Sequence, residues 1–339
     1  MTGTLREVSG DGAVVDKPDH DGGKVSVTAC VGTVMTRVHV LHENPEWFPP
    51  LAAAFDAESV PYTEWLLDGD GALDLDGEPP EGIFWSRASA SSHTRGHPFA
   101  KDHTRAVLRW LEGHGRRVVG GSGVLELEMS KVAQHAALAA AGLDTPRTIA
   151  VVGRQGLAAR ARRLPVPFVA KHNQGGKGLG VRRFDSYAAF DRYVSGPDFE
   201  RPVDGITLLQ EYVEPAEPFI TRVEIVGGRF LYALAASTTN GFQLCPADAC
   251  AVDGSCPADG GGLFELRKDY EPPPLPAYLD FAARHGIEIA AFEYIQTAEG
   301  RLVTYDVNTN TNYNPAVEAQ ADRSGPVEIA RYLRTLLEA

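Results

Sequence analysis

The chain has 339 residues, a length that is typical of two domains or of three small ones. Acidic residues outnumber basic residues by 45 to 32, so the formal net charge is −13. A chain this acidic repels phosphates and anionic headgroups, which excludes general binding of nucleic acids or of anionic membrane surfaces. No run approaches the roughly 18 consecutive apolar residues that a membrane-spanning helix needs.

The amino-terminal segment is rich in Asp, Gly, Thr and Ser, which predicts a flexible region over residues 1–24. It lacks the apolar core of a secretory signal, so we expect a cytoplasmic protein. The four cysteines are too few for a disulfide scaffold at this length. Cys245, Cys250 and Cys256 lie close together, but no two of them form a C-x-x-C pair, so reduced structural thiols are favoured over a zinc site.

Strands and helices alternate through the first third of the chain. Runs rich in β-branched residues predict strands at 25–31, 34–41, 60–66, 82–87 and 118–119. Apolar spacing predicts helices at 51–59 and 101–114. This alternation predicts an α/β unit with a largely parallel sheet over residues 25–125.

Basic and hydroxyl side chains concentrate just after the predicted strand at 82–87, and Arg87, His93 and Arg95 are among them. Loops at the carboxyl ends of strands line ligand crevices in α/β units. We therefore hypothesise that these three side chains bind the carboxylate or amino-acid part of a substrate. An ordinary exposed loop is the alternative.

The middle of the chain contains one well-marked helix. It is predicted to begin near Lys131, with Ser130 as a cap and Gly142 after its last turn. A strand at 149–152 follows it. From Phe168 onward the pattern changes to successive strands joined by shorter connections, which indicates a second kind of unit.

A glycine-rich segment follows the strand that carries Lys171, with four glycines within six residues at 175–180. Glycines allow backbone N–H groups to approach phosphate oxygens closely, and Lys171 and Lys177 add positive charge. A hairpin turn with spare glycines is the alternative. The segment is not a P-loop, because Gly178 follows Lys177 where Ser or Thr is required, and it is not a dinucleotide fingerprint, because a strand follows it.

A hairpin pattern near the carboxyl end carries two carboxylates. Strands are predicted at 291–295 and 302–308. Glu293 and Asp306 then lie on adjacent strands, and Asn308 lies two residues beyond Asp306 on the same face. Two carboxylates and an amide oxygen form the hard-oxygen set that Mg²⁺ prefers, whereas a polar, solvated sheet face is the alternative.

These features occur in a definite order, and the order is more informative than any one of them. Along the chain come Lys131, Lys171 with its glycine-rich loop, the strand end at 210–213, Arg222, and finally the Glu293, Asp306 and Asn308 trio. The set resembles the ATP-grasp superfamily of ATP-dependent carboxylate–amine ligases. The likeness is greatest to the glutathione-synthetase-like and ribosomal-protein glutamate ligase branch, and it covers about residues 25–339.

The resemblance implies a mixed α/β and α+β architecture, the ATP-grasp fold. An amino-terminal parallel α/β domain would span 25–125. A small lid subdomain would span 126–213, and an antiparallel-sheet subdomain that holds metal and substrate would span 214–339.

The resemblance also implies ATP and Mg²⁺ as cofactors, with two ions expected and Mn²⁺ able to substitute. Lys131 and Lys171 would hold the phosphates. The other implied ATP-binding residues are Gln174, Gly175, Gly176, Lys177, Gly178, Gln210, Glu211, Tyr212 and Val213. The glycine-rich loop would cover the triphosphate, and the backbone at 210–213 would bind the adenine edge.

The implied metal ligands are Glu293, Asp306 and Asn308. The implied catalytic residues are Arg222, Lys171 and Asn308, with Arg222 neutralising the transferred phosphate. Asn310 and Asn312 follow the hairpin, and they are expected to form a nest for a substrate carboxylate or else to satisfy a tight loop.

The chain departs from the family pattern at three places. Ile220 stands where close relatives carry Asp, which leaves ribose binding to Glu217 or Glu214. Asp306 replaces the commoner Glu as the second metal carboxylate. The segment 244–250 replaces a stretch that bears Arg and Asn, so the acceptor cannot be carried over from better-known relatives.

The implied activity is formation of a peptide or amide bond through an acyl phosphate, with a glutamate-like amino acid as one substrate. The alternatives are an ATP-grasp small-molecule kinase and a nucleotide-binding regulator without turnover. The expected partners are a small-molecule carboxylate and a small-molecule amine, without nucleic acid or membrane. Monomer and homo-oligomer both stay open.

Overall fold

The computed structural model describes residues 7–8, 36–68, 71–176, 178, 180–239 and 263–339. The predicted strand at 25–31, Lys177, the segment 244–250 and the cysteines at 245, 250 and 256 lie outside the described residues. So does nearly all of the predicted flexible region 1–24. Within the described part of the chain, no helix is both long and apolar enough to cross a membrane.

The first sheet contains five strands in the order β1-β3-β2-β4-β5. They are β1 (Glu7–Val8), β2 (Arg37–His42), β3 (Tyr62–Leu66), β4 (Gly82–Ser86) and β5 (Arg117–Val119). Strands β2 to β5 pair in parallel, and β1 pairs antiparallel to β3 at the edge. The predicted largely parallel sheet is confirmed.

Two helices flank this sheet, α1 (Pro49–Ala57) and α2 (Ala100–Gly113). Two prolines open α1, where their missing N–H groups need no partner and their fixed φ favours the helix. The chain leaves α2 through Gly115, whose φ of +70° is a conformation that glycine adopts without strain. Both helices begin and end within two residues of the predicted bounds.

The second sheet, called here the lid sheet, contains four antiparallel strands in the order β6-β9-β7-β8. The strands are β6 (Thr148–Val152), β7 (Phe168–His172), β8 (Arg182–Phe184) and β9 (Ile206–Glu211). Helices α5 (Leu157–Ala161) and α6 (Tyr187–Ser195) cover one face. Phe168, Phe190 and Leu209 are completely buried in the core that these elements share.

The third sheet contains five antiparallel strands in the order β12-β11-β10-β13-β14. The strands are β10 (Phe219–Val226), β11 (Arg229–Ser237), β12 (Phe264–Leu266), β13 (Ile289–Gln296) and β14 (Leu302–Asn308). The remaining helices are α3 (Ser122–Met129), α4 (Lys131–Ala140), α7 (Leu275–His285), α8 (Pro315–Glu318) and α9 (Gly325–Leu337).

Two apolar cores hold the third sheet in place. In one core, Leu127 of α3 and Leu138 of α4 pack with Phe281 of α7 and Phe292 of β13. In the other, α9 packs between the first and third sheets, and Leu333 is fully buried there. The range 126–213 predicted for the lid therefore includes α4, whose buried face packs with the third sheet. The domain boundaries themselves stay a prediction.

Candidate active site

A cavity of about 440 Å³ opens where the three sheets approach one another. Its volume is within the range of ligand pockets in proteins. The walls come from the loop after β4, from the start of α4, from the lid sheet and from the β13–β14 hairpin. The site is thus assembled from segments that lie far apart in the chain.

The cavity brings together most of the predicted site residues. These are Lys131, Lys171, Gly175, Gly176, Gly178, Gln210, Glu211, Tyr212, Val213, Arg222, Glu293, Asp306, Asn308, Asn310 and Asn312. The side chains that do not line it are Gln174, Glu217, Arg87, His93 and Arg95. Both ribose candidates, Glu214 and Glu217, are exposed at the surface.

The two predicted metal carboxylates face each other across the hairpin. Glu293 on β13 pairs with Asp306 on β14, so the two lie on adjacent strands as the sequence pattern predicts. Asn308 donates to Glu293 Oε1 at 3.1 Å, and the hydroxyl of Tyr305 donates to Glu293 Oε2 at 2.8 Å. Lys131 Nζ lies 2.6 Å from Asp306 Oδ1. Two carboxylates, an amide and the ammonium group of Lys131 therefore lie close together along one side of the cavity.

The two lysines respond differently to the same environment. Burial lowers the pKa of Lys171 to about 8, and the positive charge of Lys131 adds to that effect. For Lys131, burial also works against the charge, but Asp306, Glu128 and Glu293 outweigh it and raise the pKa. Burial disfavours the Asp306 carboxylate as well, yet the two lysines outweigh burial and lower its pKa.

Arg222 on β10 is held entirely by neighbouring side chains. Its Nε donates to Glu224 Oε1 at 2.6 Å, one Nη donates to Glu293 Oε1 at 2.7 Å, and the other donates to Thr311 Oγ1 at 2.6 Å. Only 4% of the residue is exposed. Burial opposes its charge, but the two carboxylates raise the pKa well above the usual value. The guanidinium is therefore a fixed cation at the cavity wall.

Asn173 ties the two lysine-bearing elements together. The N–H of Lys131 donates to the Asn173 carbonyl at 3.2 Å, and the N–H of Val132 donates to Asn173 Oδ1 at 2.8 Å. Asn173 Nδ2 donates to Asp204 Oδ2 at 2.6 Å. Ser130 caps α4 through the N–H of Ala133, as predicted. The amino end of α4 is thus joined to the chain that leaves β7.

The glycine-rich loop lies against the loop after β4. Lys101 Nζ donates to Gln174 Oε1 at 3.2 Å, and Gln174 Nε2 donates to the Ala90 carbonyl at 3.4 Å. Gly180 has a φ of +72°, and a Cβ there would lie 3.1 Å from the ring of His172. Gln174 therefore joins the glycine-rich loop to the loop after β4, and its side chain does not line the cavity.

The end of β9 forms one wall of the cavity. Gln210 Nε2 donates to Thr148 Oγ1 at 2.9 Å and lies 3.1 Å from His135 Nε2. Burial, together with Lys171 and Lys131, lowers the pKa of His135 to about 4, so that the imidazole is neutral near pH 7. A neutral imidazole accepts a hydrogen bond through one nitrogen, which fixes the Gln210 amide.

Arg87 and Arg95 are engaged by protein groups. Arg87 donates to the Thr311 carbonyl at 3.1 Å and to Asn312 Oδ1 at 2.9 Å. Burial lowers its pKa to about 10. Arg95 donates to Ser91 Oγ at 2.9 Å and also to Glu43, and it lies over the Trp47 ring. Arg87 therefore connects the first sheet to the loop after β14.

Several residues of the site carry no motif and escaped the sequence reasoning. Glu128, Gln134, Trp47 and Tyr305 line the cavity, and Asn173 supports it. Gln134 Nε2 donates to the carbonyl of Val307 at 2.8 Å. Gln134 is three residues after Lys131, so both lie on one face of α4. This spacing could have identified Gln134 as a residue of the site.

Solved structures with the same architecture are ATP-grasp proteins. One is the RimK-domain ATP-grasp protein from Sphaerobacter thermophilus DSM 20745, with a TM-score of 0.59, 17% identity, and coverage of 87% of this chain and 99% of that one. D-cycloserine synthetase DcsG has a TM-score of 0.61 and 17% identity, over 88% and 99%. The ATP-grasp ligase PsnB, complexed with minimal precursor, Mg and ADP, has a TM-score of 0.60 and 12% identity, over 88% and 97%.

These likenesses extend over almost the entire length of each solved chain, and they show that this protein has the ATP-grasp fold. The predicted fold is therefore confirmed. By sequence, the chain matches no protein-family model and no curated protein.

Proposed function

We propose that the protein is an ATP-dependent carboxylate–amine ligase, with a glutamate-like amino acid as one substrate. The observation that carries the proposal is the joint placement of Lys131, Lys171 and the Glu293–Asp306 pair around one cavity of an ATP-grasp fold. The similarity to a synthetase and to a ligase complexed with Mg and ADP supports the same reaction class. The proposed partners are a small carboxylate and a small amine, and the proposed location is the cytoplasm.

In this proposal the nucleotide lies along the lid sheet. Lys131 and Lys171 hold its phosphates, and the glycine-rich loop covers them. The backbone at 210–213 contacts the adenine edge. Arg222 acts on the transferred phosphate as a fixed cation, since its charge is already oriented by Glu224 and Glu293.

The donor set fits Mg²⁺. Glu293, Asp306 and Asn308 supply only oxygen ligands from the side chains, as this ion prefers. No cluster of three or more His, Cys, Asp or Glu side chains among the described residues could hold a metal alone. When bound, Mg²⁺ supplies charge neutralisation to the phosphates.

The proposed reaction has two steps that balance. An oxygen of the substrate carboxylate attacks the γ-phosphorus, the bond to the β-phosphate oxygen breaks, and ADP leaves. The amine nitrogen then attacks the acyl carbon, the carbon–oxygen bond to phosphate breaks, and inorganic phosphate leaves with a proton from the nitrogen. Charge stabilisation and positioning by Lys171, Lys131 and Arg222 are what the protein contributes.

Nucleotide affinity is expected to fall as the pH rises above about 8. The free protein holds Lys171 with a pKa of about 8, because the lysine is buried and close to Lys131. Bound phosphate favours the protonated lysine, so binding at higher pH requires uptake of a proton. The Kd for Mg-ATP should then increase by about tenfold per pH unit at most.

Calorimetric titration with Mg-ATP from pH 7 to 9.5, in buffers of different ionisation enthalpy, measures both the affinity and the proton uptake. The Lys171→Arg variant, which stays protonated, is the matched control and should have a flatter profile. A wild-type Kd that is constant across this range would contradict the assignment of Lys171.

A phosphate-release screen tests the proposal as a whole. The full chain is incubated with Mg-ATP and with all amino acids in pairs, and phosphate and ADP are quantified. A ligase releases phosphate only when both an acid and an amine are present. Release of ADP with a stable phosphorylated product in the absence of any amine would instead identify a kinase. No ADP with any pair would remove the support for turnover.

A further inference from the structure

One carboxylate in the cavity has no role in the proposed phosphate chemistry. Glu128 lies near the end of α3, three residues before Lys131, and it lines the cavity. Its Oε2 accepts from the Thr309 N–H at 2.9 Å and from the Thr309 hydroxyl at 2.8 Å. Its Oε1 lies 3.5 Å from the N–H of Ala90, at the limit of a hydrogen bond. One oxygen is therefore anchored, and the other is only weakly engaged.

Within the described part of the chain, Glu128 forms no ion pair of its own, although the nearby charge of Lys131 favours its carboxylate form. Lys131 is itself engaged by Asp306 at 2.6 Å. Glu128 is only partly buried, and partial removal of a carboxylate from water without an ion-pair partner is unfavourable. Burial accordingly raises the pKa of Glu128. A cationic ligand would provide the missing partner.

Hydroxyl and amide groups flank Glu128, and one of these hydroxyls, that of Ser91, already accepts from Arg95 at 2.9 Å. Ser89 and Ser91 flank its contact at Ala90, and Asn310 follows its contact at Thr309; all three line the cavity. Asn310 Oδ1 is buried and has no hydrogen-bond partner. An ammonium group offers three N–H donors and a positive charge, and it matches this set better than a carboxylate would.

We propose that Glu128 binds the ammonium group of the amine substrate. The inference rests on the proposed ligase function and specifies where its second substrate is recognised. Because Glu128 and Lys131 line the same cavity, the amine is held on the side of the lysine that is proposed to bind phosphate, close to where the acyl phosphate would form. Glu128 thereby selects amines that arrive as cations. The bound ammonium gives one proton to the Glu128 carboxylate, its nitrogen then attacks the acyl carbon, and the second proton leaves with phosphate.

A purely structural role is the competing explanation, since Glu128 bridges the loop after β4 and the loop after β14. The Glu128→Gln variant separates the two. Glutamine keeps the size of the side chain and an oxygen that accepts from Thr309, but it removes the charge. A structural role predicts little change, or a loss of every activity together.

The test compares two nucleophiles on the full chain. With Mg-ATP and the acid found in the phosphate-release screen, hydroxylamine traps the acyl phosphate as a hydroxamate and needs no ammonium site. For Glu128→Gln we expect the KM for the amine to rise about tenfold or more, since a charge-assisted hydrogen bond is lost. Hydroxamate formation should stay within twofold of the wild-type rate.

Glu126→Gln is the matched control, because Glu126 lies on the same helix with 63% of its side chain exposed and should leave both rates unchanged. Glu128→Asp keeps the charge and should raise the amine KM less than Glu128→Gln does. It also serves as a second variant if the Glu128→Gln protein does not fold. An unchanged amine KM, or a parallel loss of hydroxamate and amide, overturns the inference alone. Absence of both products with wild-type protein overturns the proposed function and the inference with it.

Discussion

Replacing Asp306 by alanine is expected to abolish ADP formation while the protein stays folded. Asp306 is the proposed ligand for Mg²⁺ and the partner of Lys131, whose Nζ lies 2.6 Å away. Its loss removes a carboxylate from the side of the cavity where the phosphates are proposed to lie. Because such electrostatic groups contribute several kcal/mol, turnover should fall by about 10³-fold or more. Coupled measurement of ADP release, with circular dichroism as the check on folding, tests this.

Asp280→Ala is a matched control for that variant. Asp280 is an exposed aspartate on α7 that pairs with Arg284 and does not line the cavity. Turnover of Asp280→Ala should be the same as that of the wild type. Retention of more than about a tenth of wild-type turnover by Asp306→Ala would count against the proposed metal site.

Replacing Arg222 by methionine is expected to lower the free energy of unfolding more than any of the other substitutions named above. Methionine fills much of the same volume, but it leaves Glu224 and Glu293 without their cation. These carboxylates are only 1% and 7% exposed, so solvent cannot compensate for the lost partner. Breaking a buried ion pair from one side lowers the free energy of unfolding by about 3–5 kcal/mol. Urea denaturation of the full chain, followed by fluorescence, measures the difference.

The control for this prediction is Arg284→Met, which breaks an exposed ion pair with Asp280. Exposed pairs contribute about 0–1 kcal/mol, so this variant should unfold nearly as the wild type does. Combining Arg222→Met with Glu224→Gln should recover part of the loss, because one of the two stranded charges is removed. If Arg222→Met unfolds at the wild-type urea concentration, the buried network does not stabilise the fold as described.

Local patterns predicted the elements of the site well. The alternation around Glu293 and Asp306 and the short turn between their strands determine a hairpin, and the structure pairs these two residues in register. The start of α4 followed from Ser130, since a serine before a helical run satisfies a free backbone N–H. Both inferences needed only neighbours within a few residues or one hairpin.

Contacts between distant segments could not be predicted in the same way. Arg87 was expected to face a substrate, whereas it donates to the Thr311 carbonyl and to Asn312. Its orientation depends on how the first and third sheets dock, and no local pattern encodes that docking. The contact between Arg222 and Glu224 could have been predicted from the sequence, because residues two apart on a strand share a face. The anchoring of Glu128 by Thr309 again depends on the final packing.

Asn173 couples opening of the cavity to loss of order at the amino end of α4. The residue belongs to the chain that leaves the lid sheet, whereas Val132, which donates to it, belongs to a helix packed on the third sheet. Swinging the lid sheet outward would separate the two lysines and, in the same movement, release the N–H groups of Lys131 and Val132 in the first turn of α4 from Asn173. A nucleotide that bridges Lys131 and Lys171 would therefore also hold that turn together. The protection of the Val132 amide against hydrogen exchange is a direct gauge of how closed the molecule is.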